Sequence, residues 1–272
     1  WFCSGIGQVV HKTLKAGHHT LRFEFGDQVA YAYNASGFTY IASCLGLDIS
    51  SAITTVNCSS SLNVRAGDLL VAYVEWMDAA SGDTVAVAKD SGSPANSFTF
   101  DTGDKAVNSS DTGGAAGYLL SAAADSSATF RFTLSPSGRR LEIIVLQFRP
   151  ASGYAVSKDT SNIATGNGTV LQSGTITTTG ADEVIVGGGS TAGGAGLDSH
   201  LIGGVGDDGQ TSSTYAGSWY RIVTATQSSI IAQATAGATD LWVCTIISFK
   251  AALAPKTKIN TSDKLAGPQG GL

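Results

Sequence analysis

Ser61 to Ala72 reads Ser-Leu-Asn-Val-Arg-Ala-Gly-Asp-Leu-Leu-Val-Ala, and Thr175 to Val186 reads Thr-Ile-Thr-Thr-Thr-Gly-Ala-Asp-Glu-Val-Ile-Val. Each stretch is a short strand, a polar turn containing Asp, and a more apolar strand. Laid over one another, they set Asp68 on Asp182. A second pair closes each half: Leu141–Arg149 (LEIIVLQFR) against Trp242–Lys250 (WVCTIISFK), with Phe148 on Phe249. Between them, Tyr118 falls on Trp219 at the spacing of that second pair. One β-rich phrase written twice predicts an all-β chain.

Working outward, the first copy contains seven candidate strands: Ser60–Val64, Asp68–Trp76, Thr84–Ala88, Ser97–Phe100, Gly117–Ala122, Ala128–Leu134 and Leu141–Phe148. Phe130, Phe132 and Leu134 alternate with Arg131 and Thr133, the period of a half-buried strand. Turn chemistry such as Ala-Gly-Asp, Asp-Ser-Gly-Ser-Pro and Ser-Pro-Ser-Gly separates the strands. Short strands so punctuated predict antiparallel sandwiches of jelly-roll or immunoglobulin size. We expect repeat one over 46–151 and repeat two over 152–252. Residues 1–45 are expected to form an N-terminal β-meander with an exchangeable first strand, and 253–272 a tail. In the meander, Leu21, Phe23 and Phe25 alternate, then Val29, Tyr31 and Tyr33, and Phe38–Ala42 follows as a third strand. Repeat two carries Gly187-Gly-Gly and Gly193-Gly-Ala-Gly, either a flexible loop or a place where another backbone packs closely.

The chain has 272 residues, with 34 Gly, one Met, 43% hydrophobic and 14% charged residues. The apolar share is too high for a disordered low-complexity chain, and the charge share too low for a helical cytosolic enzyme. A net charge of −5 argues against a nucleic-acid partner, whose phosphates need a basic face. The one basic concentration, His11, Lys12, Lys15, His18, His19 and Arg22, reads as a solvated strand edge or subunit contact. No apolar run reaches the roughly 20 residues of a spanning helix. The chain opens at Trp1 rather than Met, so we expect its start to have been processed or trimmed, and the lack of a leader says nothing of compartment.

The cysteines are Cys3, Cys44, Cys58 and Cys244. Cys244 falls on Ile143 of the first copy and so reads as a small buried hydrophobe. Cys44 and Cys58 flank a short loop and can bridge, as can either with Cys3. Their spacing matches no zinc pattern.

Several motifs tempt a catalytic reading. Asp101-Thr-Gly and Asp111-Thr-Gly carry the letters of an aspartic-peptidase motif, but they sit within one hairpin's length and lack the flanking apolar segments. Gly204-Val-Gly-Asp-Asp-Gly209 has the letters of a dinucleotide loop, yet a strand follows it and its two Asp repel phosphate. Asp101, Asp104 and Asp111, or Asp207 and Asp208, offer oxygen ligands to a structural Ca2+ at a loop, but no spacing resembles an EF-hand, and solvated turn carboxylates are the plainer reading. Three of the four His lie outside both repeats, His200 lies in the Gly-rich part, and no triad can be assembled. Trp219, Tyr220 and Trp242, together with Trp76, offer sugar-stacking rings if exposed. Asn34, Asn57, Asn108, Asn167 and Asn260 head Asn-x-Ser/Thr sequons and mark surface turns at most.

The phrases Gly-Asp-Leu-Leu-Val-Ala-Tyr-Val and Ser-Gly-Thr-Ile-Thr-Thr-Thr-Gly-Ala-Asp-Glu-Val-Ile-Val-Gly resemble the tandem β-sandwich modules of bacterial secreted, cell-surface and phage-particle proteins. The resemblance implies fold and an extracellular, surface or virion location, and brings no catalytic residues with it. The expectation is a non-enzymatic structural or interaction protein, a homo-oligomer or polymer joined through strand edges and terminal segments. The alternative is a carbohydrate-binding module, with a glycan or host surface as partner. A hydrolase using the loop carboxylates comes third.

Overall fold

The computed structural model describes residues 20–25, 28–33, 37–80, 82–89, 97–109 and 111–253, for the first two ranges the backbone alone. Among them the chain is all-β, broken only by a one-turn 3-10 segment at Thr102–Asp104. β1 (Thr20–Phe25) and β2 (Gln28–Tyr33) form a hairpin by themselves. The strands that follow are β3 (Phe38–Asp48), β4 (Ile53–Asn57), β5 (Leu62–Val64), β6 (Leu69–Met77), β7 (Thr84–Lys89), β8 (Lys105–Asn108), β9 (Thr112–Leu119), β10 (Asp125–Ala128), β11 (Phe130–Gly138) and β12 (Leu141–Pro150). The second half contributes β13 (Tyr154–Gln172), β14 (Glu183–Thr191), β15 (Leu197–Ile202), β16 (Val205–Gly206), β17 (Gly209–Ser212), β18 (Ala216–Val223) and β19 (Ala232–Leu253).

The first half is a sandwich. A five-stranded sheet, β3-β12-β6-β9-β8, is covered on one face by the sheets β4-β11-β7 and β5-β10. Between them lies a core of Leu70, Val74, Trp76, Ile143 and Val145 against Val56, Phe130, Phe132 and Leu134. β11 has the predicted alternation, its Phe and Leu inward and Arg131 and Thr133 exposed, because only one of its faces is covered. β3 pairs with β12 from Phe38 to Asp48, so this sheet includes residues before 46. The predicted third meander strand is thus an integral edge of this sheet.

The second half repeats the strand order. β13-β19-β14-β18-β17 stand in the pairings of β3-β12-β6-β9-β8. β19 is long enough to serve both layers: its first part pairs with β15, and its second part with β14. Leu171, Ile176, Leu197, Ile202, Trp219 and Ile246 fill the space within this bent sheet.

A third core joins the halves. The outward faces of the two large sheets pack on each other through Leu69, Val71, Ile144, Leu146 and Phe148 against Val184, Val186, Tyr220, Ile247 and Phe249. β6, β12, β14 and the end of β19 are therefore buried on both faces. Double burial explains why they read as continuous apolar runs instead of alternating. The contact has approximate two-fold character: Tyr118 meets Phe249 edge-on at 5.5 Å, and Tyr220 meets Phe148 edge-on at 5.1 Å. Each such pair contributes about 0.5–1.5 kcal/mol beyond its buried area.

Pairing registers shift the sequence match by one residue. Phe148 stands opposite Leu69 and Phe249 opposite Val184, so Asp68 corresponds to Glu183 rather than Asp182. Likewise Tyr118 is opposite Val71 and Tyr220 opposite Val186, which makes Tyr220, not Trp219, the counterpart of Tyr118. Local likeness of letters cannot detect one residue gained in a turn; the ladder can.

Candidate functional site

A buried group of ionisable side chains lies in the seam between the sheets. Glu75 on β6 and Glu142 on β12 are directly opposite in the register. Opposed side chains in a ladder share a face, so both carboxyls enter the seam. Both are essentially fully buried. Arg140, in the turn before β12, donates to Glu75 from Nε (3.1 Å) and Nη2 (2.5 Å). The same guanidinium crosses to the second unit, donating to the carbonyls of Ala192 and Thr191 (2.8 Å each) and lying over the Tyr215 ring at 4.0 Å. Tyr73 donates to Ser190 Oγ (3.0 Å), and Ser213 donates to Glu142 Oε2 (2.8 Å). Burial raises Glu75 despite Arg140, and raises Glu142 to about 8, with the Glu75 charge adding to the effect. Tyr73 is raised well above its ordinary range, mainly by burial. Sealed from solvent, this group can hold a proton and fix two sheets, but offers no path to a substrate.

A second constellation occurs once in each unit, at the turn that opens the central strand. Asp68 accepts from the Arg65 N–H (2.8 Å), Gln147 Nε2 (2.6 Å) and Arg149 Nε and Nη2 (2.8 and 2.9 Å). Glu183 accepts from the Gly180 N–H (2.6 Å), the equivalent backbone group. Ser248 and Lys250 stand where Gln147 and Arg149 stand in the first unit, but Lys250 binds Asp159 instead (2.8 Å). Burial, reinforced by Asp159, pushes Glu183 up to about 7. A surface cleft of about 340 Å3 adjoins the first of these turns, lined by Arg65–Asp68 and Arg149–Tyr154.

The aromatic candidates are inside. Trp219, Tyr220 and Trp242 are at most 8% exposed, and Trp76 is fully covered. Trp219 points into the second core, meets the tilted His200 ring at 4.8 Å and donates to the Leu201 carbonyl (3.2 Å). Tyr220, the next residue on the same strand, points the opposite way, into the seam, stacked on Tyr40 at 4.7 Å. Trp242 lies so close over Gly166 that a Cβ there would meet its ring at 2.2 Å. The rings therefore form no row, and none presents a face to a sugar. Alternation along a strand cannot tell which faces a second unit will cover.

The loop carboxylates separate into unrelated settings. Asp101 and Asp104 close on Lys158 (2.6 and 2.5 Å), and the Tyr118 hydroxyl donates to Asp101 (3.2 Å). The Lys158 ammonium holds Asp101 below the usual carboxylate range. Asp111 is exposed in a turn closed by its own N–H on the Asn108 carbonyl (3.0 Å). Asp208 accepts from the Ile222 N–H (2.6 Å), and Asp207 lies near buried His200. Burial lowers His200, opposed by Asp207. Among the described residues, no three His, Cys, Asp or Glu side chains gather as a metal-ion group. The peptidase-like pair is not a dyad, since Asp101 is ion-paired and Asp111 stands apart in solvent. His11, His18, His19 and Cys3 lie outside the described residues.

Cys44 and Cys58 form a disulfide, tying β3 to the end of β4. Cys244 is a buried free thiol of the second core. Of the sequons, Asn108 is occupied: its amide donates to the Gly166 and Trp242 carbonyls (2.6 and 3.1 Å). No helix among the described residues is long and apolar enough to cross a membrane.

The seam residues Glu75, Arg140 and Glu142 were not among the candidates suggested by motif. Their signal in the sequence is a lone glutamate inside each of two mostly apolar strands, where burial without a partner is costly. No protein-family model matches the chain, and comparison with curated proteins finds no match. Fold and chemistry carry the reading alone.

Proposed function

We propose that the chain is a non-enzymatic building block of an extracellular, surface or virion assembly, associating through strand edges and terminal segments. The observation that carries this reading is β13. It runs 19 residues, and among the described strands it pairs only with β19. Register shifts at Lys158/Thr160 and Gly168/Val170 interrupt its ladder, and Lys158 and Asp159 add charge at one end. Bulges and charges are how edge strands avoid unwanted pairing. Between them, Ser161–Asn167 (SNIATGN) carries no charge and forms an unbroken ladder on its paired side. On this stretch the Ile163 N–H is taken by Asn162 Oδ1 (2.9 Å) and the Gly166 carbonyl by Asn108 (2.6 Å), so an added strand would exchange with those bonds.

The chain ends support the same reading. Gly37 accepts from the Ala151 N–H (2.9 Å), and Leu253 pairs with Tyr154. Gly37 and Leu253 therefore lie at one corner, beside the start of β13. An open-ended contact of edge with terminal segment would propagate into fibres or rings.

Sedimentation and negative-stain imaging across a wide concentration range test this. Concentration-dependent oligomers are expected, weakened by Thr165→Lys with Asn167→Lys on the uncharged edge. A monodisperse monomer at every concentration, indifferent to those changes, would overturn the proposal.

A further inference from the structure

The strands β6 and β12 place Glu75 and Glu142 directly opposite each other, where like charges are destabilising. The second unit then seals both from water. One cation, Arg140, serves the two carboxyls, and its bonds go to Glu75. Glu142 receives the neutral Ser213 hydroxyl on Oε2, and its Oε1 is buried with no hydrogen-bond partner. The other titratable or charged groups facing the pair are Tyr73 from β6 and Tyr215, reached through Arg140, from the second unit. Leu47 of β3 stands opposite Glu142 on its other side. Two buried carboxyls with one cation are electrically balanced only when one of them carries a proton.

We propose that the Glu75–Glu142 pair is a proton-operated clamp between the two units: the protonated pair locks the sheets together, and loss of the proton loosens the seam. The clamp is independent of how copies of the chain associate. It would make the rigidity of the two-unit body respond to the pH of its surroundings. Arg140 and Ser213 are the arms that transmit the change, because each bonds across the seam.

The direction follows from linkage. Glu142 titrates near 8 when folded, against 4.5 for an ordinary glutamate, so the folded chain holds a proton that the unfolded chain has released. Its contribution to stability is complete below the ordinary glutamate range and falls as pH rises toward about 8. It is exhausted above that. Glu183, raised to about 7 outside this pair, acts in a lower and overlapping window and needs its own control.

The test is 13C NMR of the carboxyl carbons in glutamate-labelled protein, with urea unfolding midpoints at pH 6 and pH 9. The wild type should show a glutamate resonance titrating near pH 8, absent in Glu142→Gln, and a midpoint lower at pH 9 than at pH 6. Glu142→Gln should remove most of that midpoint difference, while Glu183→Gln leaves the high-pH resonance in place. The proposal is overturned if every glutamate of the wild type titrates below pH 6. It is equally overturned if Glu142→Gln retains the full midpoint difference. Should Glu142→Gln not fold, the wild-type resonance together with Glu75→Gln decides: removing the neighbouring charge must lower the high titration.

Discussion

The two units share a strand order and differ in what they place at equivalent positions of the seam. Where the first unit has Tyr73, Glu75, Arg140 and Glu142, the second has Gly188, Ser190, Leu241 and Val243. One face is bulky and ionisable; the other is small and neutral. The Tyr73 ring occupies the space a side chain at Gly188 would need, with a Cβ there falling 2.3 Å from Cδ2. In return, a Cβ on Gly114 of the first unit would meet Val243 at 2.9 Å. Similar folds dock here because their surfaces have become complementary rather than identical. The disulfide adds a second asymmetry, since it staples the first unit alone.

The sharpest way to break this comparison is to give the first unit the neutral character of the second at its seam cation, Arg140. Arg140→Met leaves Glu75 buried without its partner and should cost about 3–5 kcal/mol near neutral pH. The loss should shrink in acid, where Glu75 takes up a proton, and urea unfolding at two pH values measures it. Next in size is the staple. Cys44→Ser with Cys58→Ser should cost about 2–4 kcal/mol. Hydrogen exchange should show β3 and β4 opening faster while β14 and β19 keep their protection. Filling the second unit's hollow comes third: Gly188→Val should cost about 1–3 kcal/mol by overpacking. Tyr73→Ala in the same chain should recover part of that, giving a coupling in a double-mutant cycle that isolated sites would not show.

The last comparison concerns the repeated turn, and its Lys250 arm carries the smallest effect. Arg149 grips buried Asp68 through two nitrogens, whereas Lys250 is partly exposed and bonds Asp159 in place of Glu183. Arg149→Ala should therefore cost about 1.5–3 kcal/mol. Lys250→Ala should cost about 1 kcal/mol or less. Equal losses would mean that the two turns are more alike than their hydrogen bonds suggest.

Much of the sandwich was legible because its signals are local. The alternation of Phe130, Phe132 and Leu134 shows one covered face, and the turn residues around Asp68 and Asp182 mark where strands begin. The apolar runs Leu69–Met77 and Leu141–Pro150 contained the larger fact, that these strands are covered twice, though length and composition alone do not say by what. The glycines at 187–189 read as a flexible loop or a close backbone contact; they stand instead in β14, packed by the Tyr73 and Trp219 rings rather than by another backbone. What stayed hidden depends on long-range register. Nothing near Glu75 in the chain announces Glu142, and nothing near Trp219 says that its strand is roofed. The apparent match of Asp68 to Asp182 failed for the same reason, since only the ladder counts residues across the sheet.

The account rests on a dry contact between the large sheets, and thiol labelling of Val71→Cys and Val186→Cys, one on each face, tests it most directly. Both valines are buried in the seam. Each introduced thiol should stay unreactive in the folded protein and label only at the rate of unfolding, like native Cys244. Rapid labelling of either one under native conditions would mean that the faces are open to water and the two-unit body described here does not exist.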